Sequence, residues 1–172
     1  MFIWVPNVQA PLRHELTFTL WKKAVSWKRP ETKVNLNVKT GAVQRWTRSP
    51  DGQDDEQWVI LNRFTECARQ EGMLDVFPWS GPVWLHVYVS TKTPKDWWPG
   101  KEKVGRPDVD NLAKQVMDAL NPPGAGGWGA YYDDAQVVDL LASKRYDNRG
   151  DIITVRLFLF DQIAKPIKRR RL

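Results

Sequence analysis

The chain has 172 residues, of which 42% are hydrophobic and 27% charged, and its formal net charge is +6. That length fits one domain, since domains usually run to roughly 100–200 residues. The single cysteine, Cys67, excludes an internal disulfide and a cysteine-based zinc site. Because no membrane-length apolar run and no signal peptide is visible, we expect a soluble cytoplasmic protein without a membrane partner. The positive charge favours a polyanionic partner.

The N-terminal third predicts a strand followed by a β-hairpin. Residues 14–20 alternate polar and apolar side chains, the period of a half-buried strand. Residues 33–39 alternate in the same way, Thr40 and Gly41 follow, and residues 42–47 can return as the second strand of a hairpin. Residues 21–30 lie between these segments and are expected to form a basic loop.

The first helix is predicted to begin at Asp54 or Asp55, both favourable N-cap residues. Its buried stripe is expected to consist of Trp58, Leu61, Phe64 and Ala68, which follow helical spacing. Gly72 is expected to end it.

The second half predicts a further helix between strands. Residues 82–90 form an apolar strand pattern, residues 91–104 a loop, and residues 136–146 and 152–160 two strands joined at a turn. The helix after Asp110 is expected to bury Leu112, Val116, Ala119 and Leu120. The sequence therefore predicts a single α+β domain with a mixed or antiparallel sheet and two main helices.

Two acids two positions apart, Asp108 and Asp110, precede that second helix. In an extended stretch such residues point to the same side, roughly 6.6 Å apart along the chain. They can therefore converge on one Mg²⁺, which takes oxygen ligands and commonly only one or two carboxylates. The alternative for Asp110 is that it only caps the helix, because Asp is a favoured N-cap residue.

Lys114 lies four residues after Asp110, on the same helical face. It can form an ordinary i,i+4 ion pair, or it can place a cation on a phosphate whose charge grows in a transition state. Asp118 follows one turn later and is interpreted as the residue that holds Lys114. Asn111 lies between the acids and the lysine and is given a supporting role.

A second acid pair, Asp133 and Asp134, follows a Gly-rich loop. Such a pair is usually just part of a turn. Here it precedes a strand that would return beside the first acids, so it is a candidate metal ligand pair. We expect Gln136 to hydrogen-bond a carboxylate that binds the metal.

The pattern D-x-D-N-L-x-K-x-x-x-D-A-L followed by D-D-x-Q-V resembles the RusA-type Holliday junction resolvases. It is matched by Asp108, Asp110, Asn111, Leu112, Lys114, Asp118, Ala119, Leu120, Asp133, Asp134, Gln136 and Val137. The close match covers residues 105–145.

The resemblance implies a RusA-like fold and a Mg²⁺-dependent endodeoxyribonuclease that works as a homodimer on four-way DNA junctions in recombination and repair. Because the family is often carried by phages, it also implies a phage-encoded enzyme. Asp108, Asp110 and Lys114 then match the family's catalytic residues. One acid of the second pair completes the set, with Asp134 preferred over Asp133. The catalytic domain is expected at residues 1–163 and a flexible basic tail at 164–172.

Cations outside the motif are expected to contact DNA phosphates. These residues are Lys22, Lys23, Lys28, Arg29, Lys144, Arg145, Lys168, Arg169, Arg170 and Arg171. Several of the ten tryptophans lie among basic residues, including Trp21 and Trp98. They can stack on exposed bases, or they can cap the core or a dimer interface.

Two rival functions fit part of the pattern. A non-catalytic DNA-binding or regulatory protein on the same fold would explain the basic tail but would have no use for the complete set of acids and lysine. A metal-dependent nucleotide phosphohydrolase would use the acids but leave the basic loops without a role. A DNA cleavage assay with Mg²⁺ and with EDTA separates the nuclease from the DNA-binding protein, and nucleotide turnover that junction DNA does not inhibit would indicate the phosphohydrolase.

Overall fold

Two helices cover one face of a four-stranded sheet in the computed structural model, which describes residues 11–23, 31–36, 43–48, 53–95, 98–121 and 128–161. In chain order, the elements are β1 Leu12–Leu20, β2 Glu31–Leu36, β3 Val43–Arg48, α1 Gln53–Gln70, β4 Val83–Lys92, α2 Val109–Leu120, β5 Val137–Asp147 and β6 Ile152–Phe160. Short 3-10 turns lie at Leu74–Val76 and Asp134–Gln136. The predicted α+β class and single-domain architecture with two main helices are confirmed.

The main sheet has the strand order β1-β6-β4-β5. Strand β5 runs parallel to β4, while β6 is antiparallel to both β4 and β1. The sheet is therefore mixed, as the parallel β4–α2–β5 connection requires. Strands β2 and β3 form a separate antiparallel pair in which Val34 faces Arg45 in register. The predicted hairpin strands are present, while the predicted turn residues lie outside the described part of the chain.

The core lies between the helices and the sheet. Alternate residues of β4, such as Val83, Leu85 and Val87, are buried, which is the period-2 pattern of a strand with one covered face. They pack with α2 residues that were predicted from helical spacing, including Leu112 and Val116. The buried stripe predicted for the second helix is confirmed.

The first helix differs from its prediction at its start and on one face. It begins at Gln53, so Asp54 and Asp55 lie inside its first turn. Its buried residues are Ile60, Phe64, Cys67 and Ala68, while Trp58 is 65% exposed. Trp58 lies two residues from Ile60, about half a helical turn around the axis, so it faces away from the core.

Gly72 ends α1, as predicted. Its φ of +67° is a conformation that glycine adopts without a steric cost. The Met73 amide donates to the Ala68 carbonyl at 2.7 Å, the long reverse bond of a Schellman C-cap.

The last two strands are joined at the turn 147–150, as predicted, but they are not neighbours in the sheet. They are consecutive along the chain, but β4 lies between them and pairs with both. Strand β5 is thereby an edge strand. Its C-terminal half is bonded on the outer side by residues 100–103, through Gly100 to Tyr146 and Lys103 to Lys144 backbone hydrogen bonds. Part of the predicted loop 91–104 is thus an extended segment against the sheet.

None of the described helices combines the length and the apolarity that a membrane crossing requires. The residues of the predicted basic tail, 164–172, lie outside the described ranges.

Candidate active site

The N-terminus of α2 presents the first two acids. Asp108 is the N-cap residue, in extended conformation with φ −71° and ψ 145°, and its side chain makes no capping hydrogen bond. Its backbone carbonyl accepts from the Leu112 amide at 3.2 Å, which starts the helix. Asp110 lies in the first turn, and both side chains are exposed.

This arrangement corrects two expectations about the acids. The N-cap residue is Asp108 instead of Asp110, and the pair does not lie on one continuous extended segment because the helix already begins at Val109. The carboxylate of Asp108 is not used for capping, and Asp110 lies at the helix end where the dipole favours negative charge. Asn111 follows in the same turn, partly buried.

The loop that leads into Asp108 is held by two lysines. The Nζ of Lys144 on β5 donates to the carbonyl oxygens of Gly105 at 2.5 Å and Pro107 at 2.7 Å. The Nζ of Lys103 donates to the Arg106 carbonyl at 3.0 Å. Two of the three donors of Lys144, which was expected to meet a DNA phosphate, are engaged by the loop. These contacts fix the backbone just before Asp108.

Lys114 and Asp118 form the ion pair that their spacing predicts. The Nζ of Lys114 donates to Oδ1 of Asp118 at 2.7 Å, one turn along α2. Asp118 is partly buried and the lysine is exposed. The lysine is therefore tethered on the outer face of the helix that carries Asp108 and Asp110.

The two acids of the second pair, Asp133 and Asp134, have different positions in the turn that they form. Asp133 is the N-cap of the 3-10 turn Asp134–Gln136, and its Oδ1 accepts from the Ala135 amide at 2.8 Å. Asp133 and Gln136 together form a reciprocal capping box. Asp134 lies inside the turn, partly buried, and does not serve as its cap.

Gln136 contacts backbone groups in place of the expected carboxylate. Its Oε1 accepts from the amides of Tyr132 at 2.9 Å and Asp133 at 3.0 Å. Its Nε2 donates to the carbonyls of Trp79 and Gly81, both at 2.9 Å. The amide thus ties the acid-bearing turn to the segment that enters β4. The glutamine positions the turn as a whole.

Tyr131 connects the two halves of the site and was not singled out from the sequence. Its side chain is buried, and its hydroxyl donates to the Met117 carbonyl at 3.1 Å. Burial first, and then the charges of Asp134 and Asp118, raise its pKa above the usual range. Asp134 and Asp118 are therefore both near this hydroxyl. An aromatic residue just before an acid pair was the available signal.

The described residues contain no group of three or more acidic, histidine or cysteine side chains placed to hold a metal ion. A Mg²⁺ ion does not require one, since one or two carboxylates with waters and substrate phosphate suffice. The carboxylate oxygens of Asp108 and Asp110 at the helix start fit that donor chemistry.

The predicted DNA-binding cations have different surroundings. Lys22 forms an ion pair with Glu56, and Lys23 is exposed just after β1. Arg145 is exposed and lines a cleft of about 470 Å³, with Arg149 on the same cleft. Arg149 was not predicted, and its guanidinium pairs with Asp147, whose pKa it lowers to about 2. The remaining predicted cations lie outside the described residues: Lys28, Arg29, Lys168, Arg169, Arg170 and Arg171.

Two comparisons with known proteins bear on the identity of this chain. The uncharacterized protein YqaN of Bacillus subtilis (strain 168) is 40% identical over 78 residues, 39% of this chain and 51% of that protein. The chain thus spans about half the length of this curated relative. The family model described as endodeoxyribonuclease RusA matches residues 29–157, a range that includes both acid pairs, Lys114 and Gln136. The resemblance inferred from the motif is thereby confirmed, and the chain belongs to the RusA endodeoxyribonuclease family.

Proposed function

We propose that the chain is a Mg²⁺-dependent endodeoxyribonuclease that resolves four-way DNA junctions by paired phosphodiester hydrolysis. Its setting would be DNA recombination and repair, with a phage origin. The observation that carries the proposal is the N-cap residue Asp108. Asp108 is the N-cap residue of α2, close in sequence to Asp110, and its carboxylate makes no capping hydrogen bond. Family membership supplies the reaction class.

In this proposal Asp108 and Asp110 hold the metal, and Asp134 joins them when the ion is bound, with Asp133 as the weaker alternative for the third position. Mg²⁺ bound there supplies polarisation of the phosphoryl oxygen and a more acidic bound water. The protein positions the backbone segments that carry these acids. Lys144 fixes the loop before Asp108, and Gln136 fixes the turn that bears Asp134.

Lys114 is assigned to the scissile phosphate. Its ammonium is exposed and is held by Asp118 across one helical turn. Exposed i,i+4 pairs contribute only about 0.3–0.5 kcal/mol, so a phosphate can draw the cation away from its partner at little cost. A cation so placed offsets charge that develops on the phosphate in the transition state.

A homodimer is supported by the exposed edge of the main sheet. Val138, Leu140 and Leu141 in the N-terminal half of β5 are exposed although apolar. Residues 100–103 bond only the later part of that strand among the described residues. An unprotected apolar strand edge is a template for pairing with another chain. A two-fold axis there would give two sites for two opposed DNA strands.

The proposal is tested by substrate comparison. The purified chain is incubated with a mobile four-way junction, its duplex arms and a set of nucleotides, each with Mg²⁺ and with EDTA. We expect paired nicks only in the junction and only with Mg²⁺, with 5′-phosphate and 3′-hydroxyl ends. Binding without cutting would favour the non-catalytic DNA-binding protein. Nucleotide turnover unaffected by junction DNA would favour the phosphohydrolase.

A further inference from the structure

A second feature lies on the first half of the chain, at a cleft that no residue of α2 lines. A cleft of about 440 Å³ opens between the end of β1 and the outer face of α1, and we call it the tryptophan cleft. Its walls include Trp21, Trp58, Val59, Asn62, Arg63 and Glu66. Trp21 is 70% exposed and Trp58 is 65% exposed. Neither indole is used by the core, and none of the proposed catalytic residues lines this cleft.

The cleft is held open by polar contacts around its rim. Lys22 pairs with Glu56 across the junction of β1 and α1. Arg63 donates through Nε to the Thr19 carbonyl at 3.2 Å and through Nη1 to Glu66 at 3.1 Å. These contacts tie the helix to the end of the strand. The indoles of the cleft therefore lie on a fixed wall, which favours a rigid flat ligand.

The chemistry of the walls suits a nucleobase. Two exposed indoles offer flat apolar surfaces on which a base of any sequence can stack. Asn62 and Glu66 offer an amide and a carboxylate that can meet the polar edge of a base. A paired base cannot enter such a cleft, because its faces and its pairing edge are occupied in the duplex.

Charge complementarity favours a nucleic acid strand over an apolar peptide. Trp21 and Thr19 also line the neighbouring cleft that contains Arg145 and Arg149. Arg145 therefore borders the tryptophan cleft on the side of Trp21, where it can neutralise a phosphate of a strand whose base lies in the cleft.

We propose that the tryptophan cleft binds an unpaired base of the DNA substrate, stacked on the indoles of Trp58 and Trp21. The inference rests on the proposed function in taking DNA as the substrate. It adds that the protein recognises DNA by a displaced base as well as by its branched backbone. A base unpaired at a junction or bulge is the chemical class of ligand.

The test uses binding without cleavage, in EDTA. Two otherwise identical duplexes are compared, one fully paired and one carrying a single unpaired 2-aminopurine. Wild-type protein should bind the bulged duplex about tenfold more tightly and quench the 2-aminopurine fluorescence. Trp58→Leu should lose most of this preference while keeping its affinity for the paired duplex, and Trp58→Phe should retain most of it. Asn62→Phe, which fills the cleft with both indoles in place, should also lose the preference.

Trp98→Leu is the matched control, because Trp98 is 67% exposed and outside this cleft. It should behave as wild type. Equal preference in Trp58→Leu and wild type would overturn the inference, as would a change of sedimentation coefficient in Trp58→Leu, which would make the cleft a contact between copies. If wild-type protein cuts junctions but binds the bulged and the paired duplex equally well, the inference is wrong while the proposed function stands. Wild-type protein that binds neither duplex and also leaves the four-way junction uncut would remove the proposed function as well.

Discussion

At the scale of single residues, the backbone setting of each acid decides what its carboxylate can do. Asp108 caps α2 through its carbonyl and leaves its side chain uncommitted to the helix. Asp133 does the opposite, because its Oδ1 is hydrogen-bonded within its own turn. The sequence comparison already favours Asp134 over Asp133, and the capping bond of Asp133 is consistent with that order.

Asp134→Asn should lower junction cleavage at least about a hundredfold, about 2.7 kcal/mol of barrier. Asp133→Asn should stay within about tenfold, since Asn retains an oxygen that can accept the capping bond. Single-turnover cleavage rates check this, with thermal unfolding as the control for fold. A more severe effect of Asp133→Asn would assign the metal to Asp133.

Lys144 and Arg145 are adjacent on β5 and offer a matched pair. Lys144→Met should reduce the cleavage rate and raise the Mg²⁺ concentration needed, because the loop before Asp108 loses two hydrogen bonds. Arg145→Met should instead weaken DNA binding with little change in Mg²⁺ requirement, because Arg145 is exposed on the arginine-lined cleft. Rates titrated with Mg²⁺, together with fluorescence anisotropy, separate the two. If Lys144→Met changed DNA affinity alone, the lysine would be a phosphate contact.

At the scale of elements, the spacing of apolar residues predicts which face of a helix is buried when the pattern has one clear period. The stripe of α2 was predicted correctly because its apolar residues repeat with one clear period. In α1, the spacing predicts a stripe that includes Trp58, because Trp58 and Leu61 follow the same helical period as Phe64 and Ala68. Only the packing shows that Ile60 is buried and Trp58 is on the far side.

The sequence does not indicate which strands are neighbours in the main sheet. Asp147 to Gly150 is a turn, as predicted, but a turn does not show whether the strands it joins are neighbours. Here β4 inserts between them, and the apolar character of β4 on its helix-facing side is consistent with a central strand. Strand β5 becomes the edge as a result, which the sequence could not indicate.

That edge yields the prediction at this scale. Leu140→Lys on β5 should dissociate the proposed homodimer, because a charge on an exposed strand edge opposes pairing with a second copy. Leu12→Lys on β1, an exposed apolar residue on the opposite edge strand of the sheet, is the control and should leave the dimer intact. Sedimentation velocity measures both. A monomeric wild-type chain, or dissociation by the control variant alone, would contradict the assignment.

At the scale of the whole molecule, we expect the net charge of +6 to make the affinity for DNA dependent on salt. The tail carries five cations, Lys165, Lys168, Arg169, Arg170 and Arg171, at positions outside the described residues. Deleting residues 165–172 should weaken binding to junctions and plain duplex alike. Each lost phosphate contact should flatten the slope of log affinity against log salt by about 0.9. An unchanged slope would show that the tail does not contact DNA.

The central claim is that Asp108 and Asp110 hold the metal that cuts DNA. The most direct measurement is strand-specific cleavage of a four-way junction labelled on each strand, with wild type, Asp108→Asn and Asp110→Asn. Wild type should give symmetric cuts with Mg²⁺ and none with EDTA. Both variants should bind the junction normally and cut at least about a hundredfold more slowly, since Asn keeps size but loses charge. Cleavage by either variant within about tenfold of wild type, about 1.4 kcal/mol of barrier, would contradict the metal site.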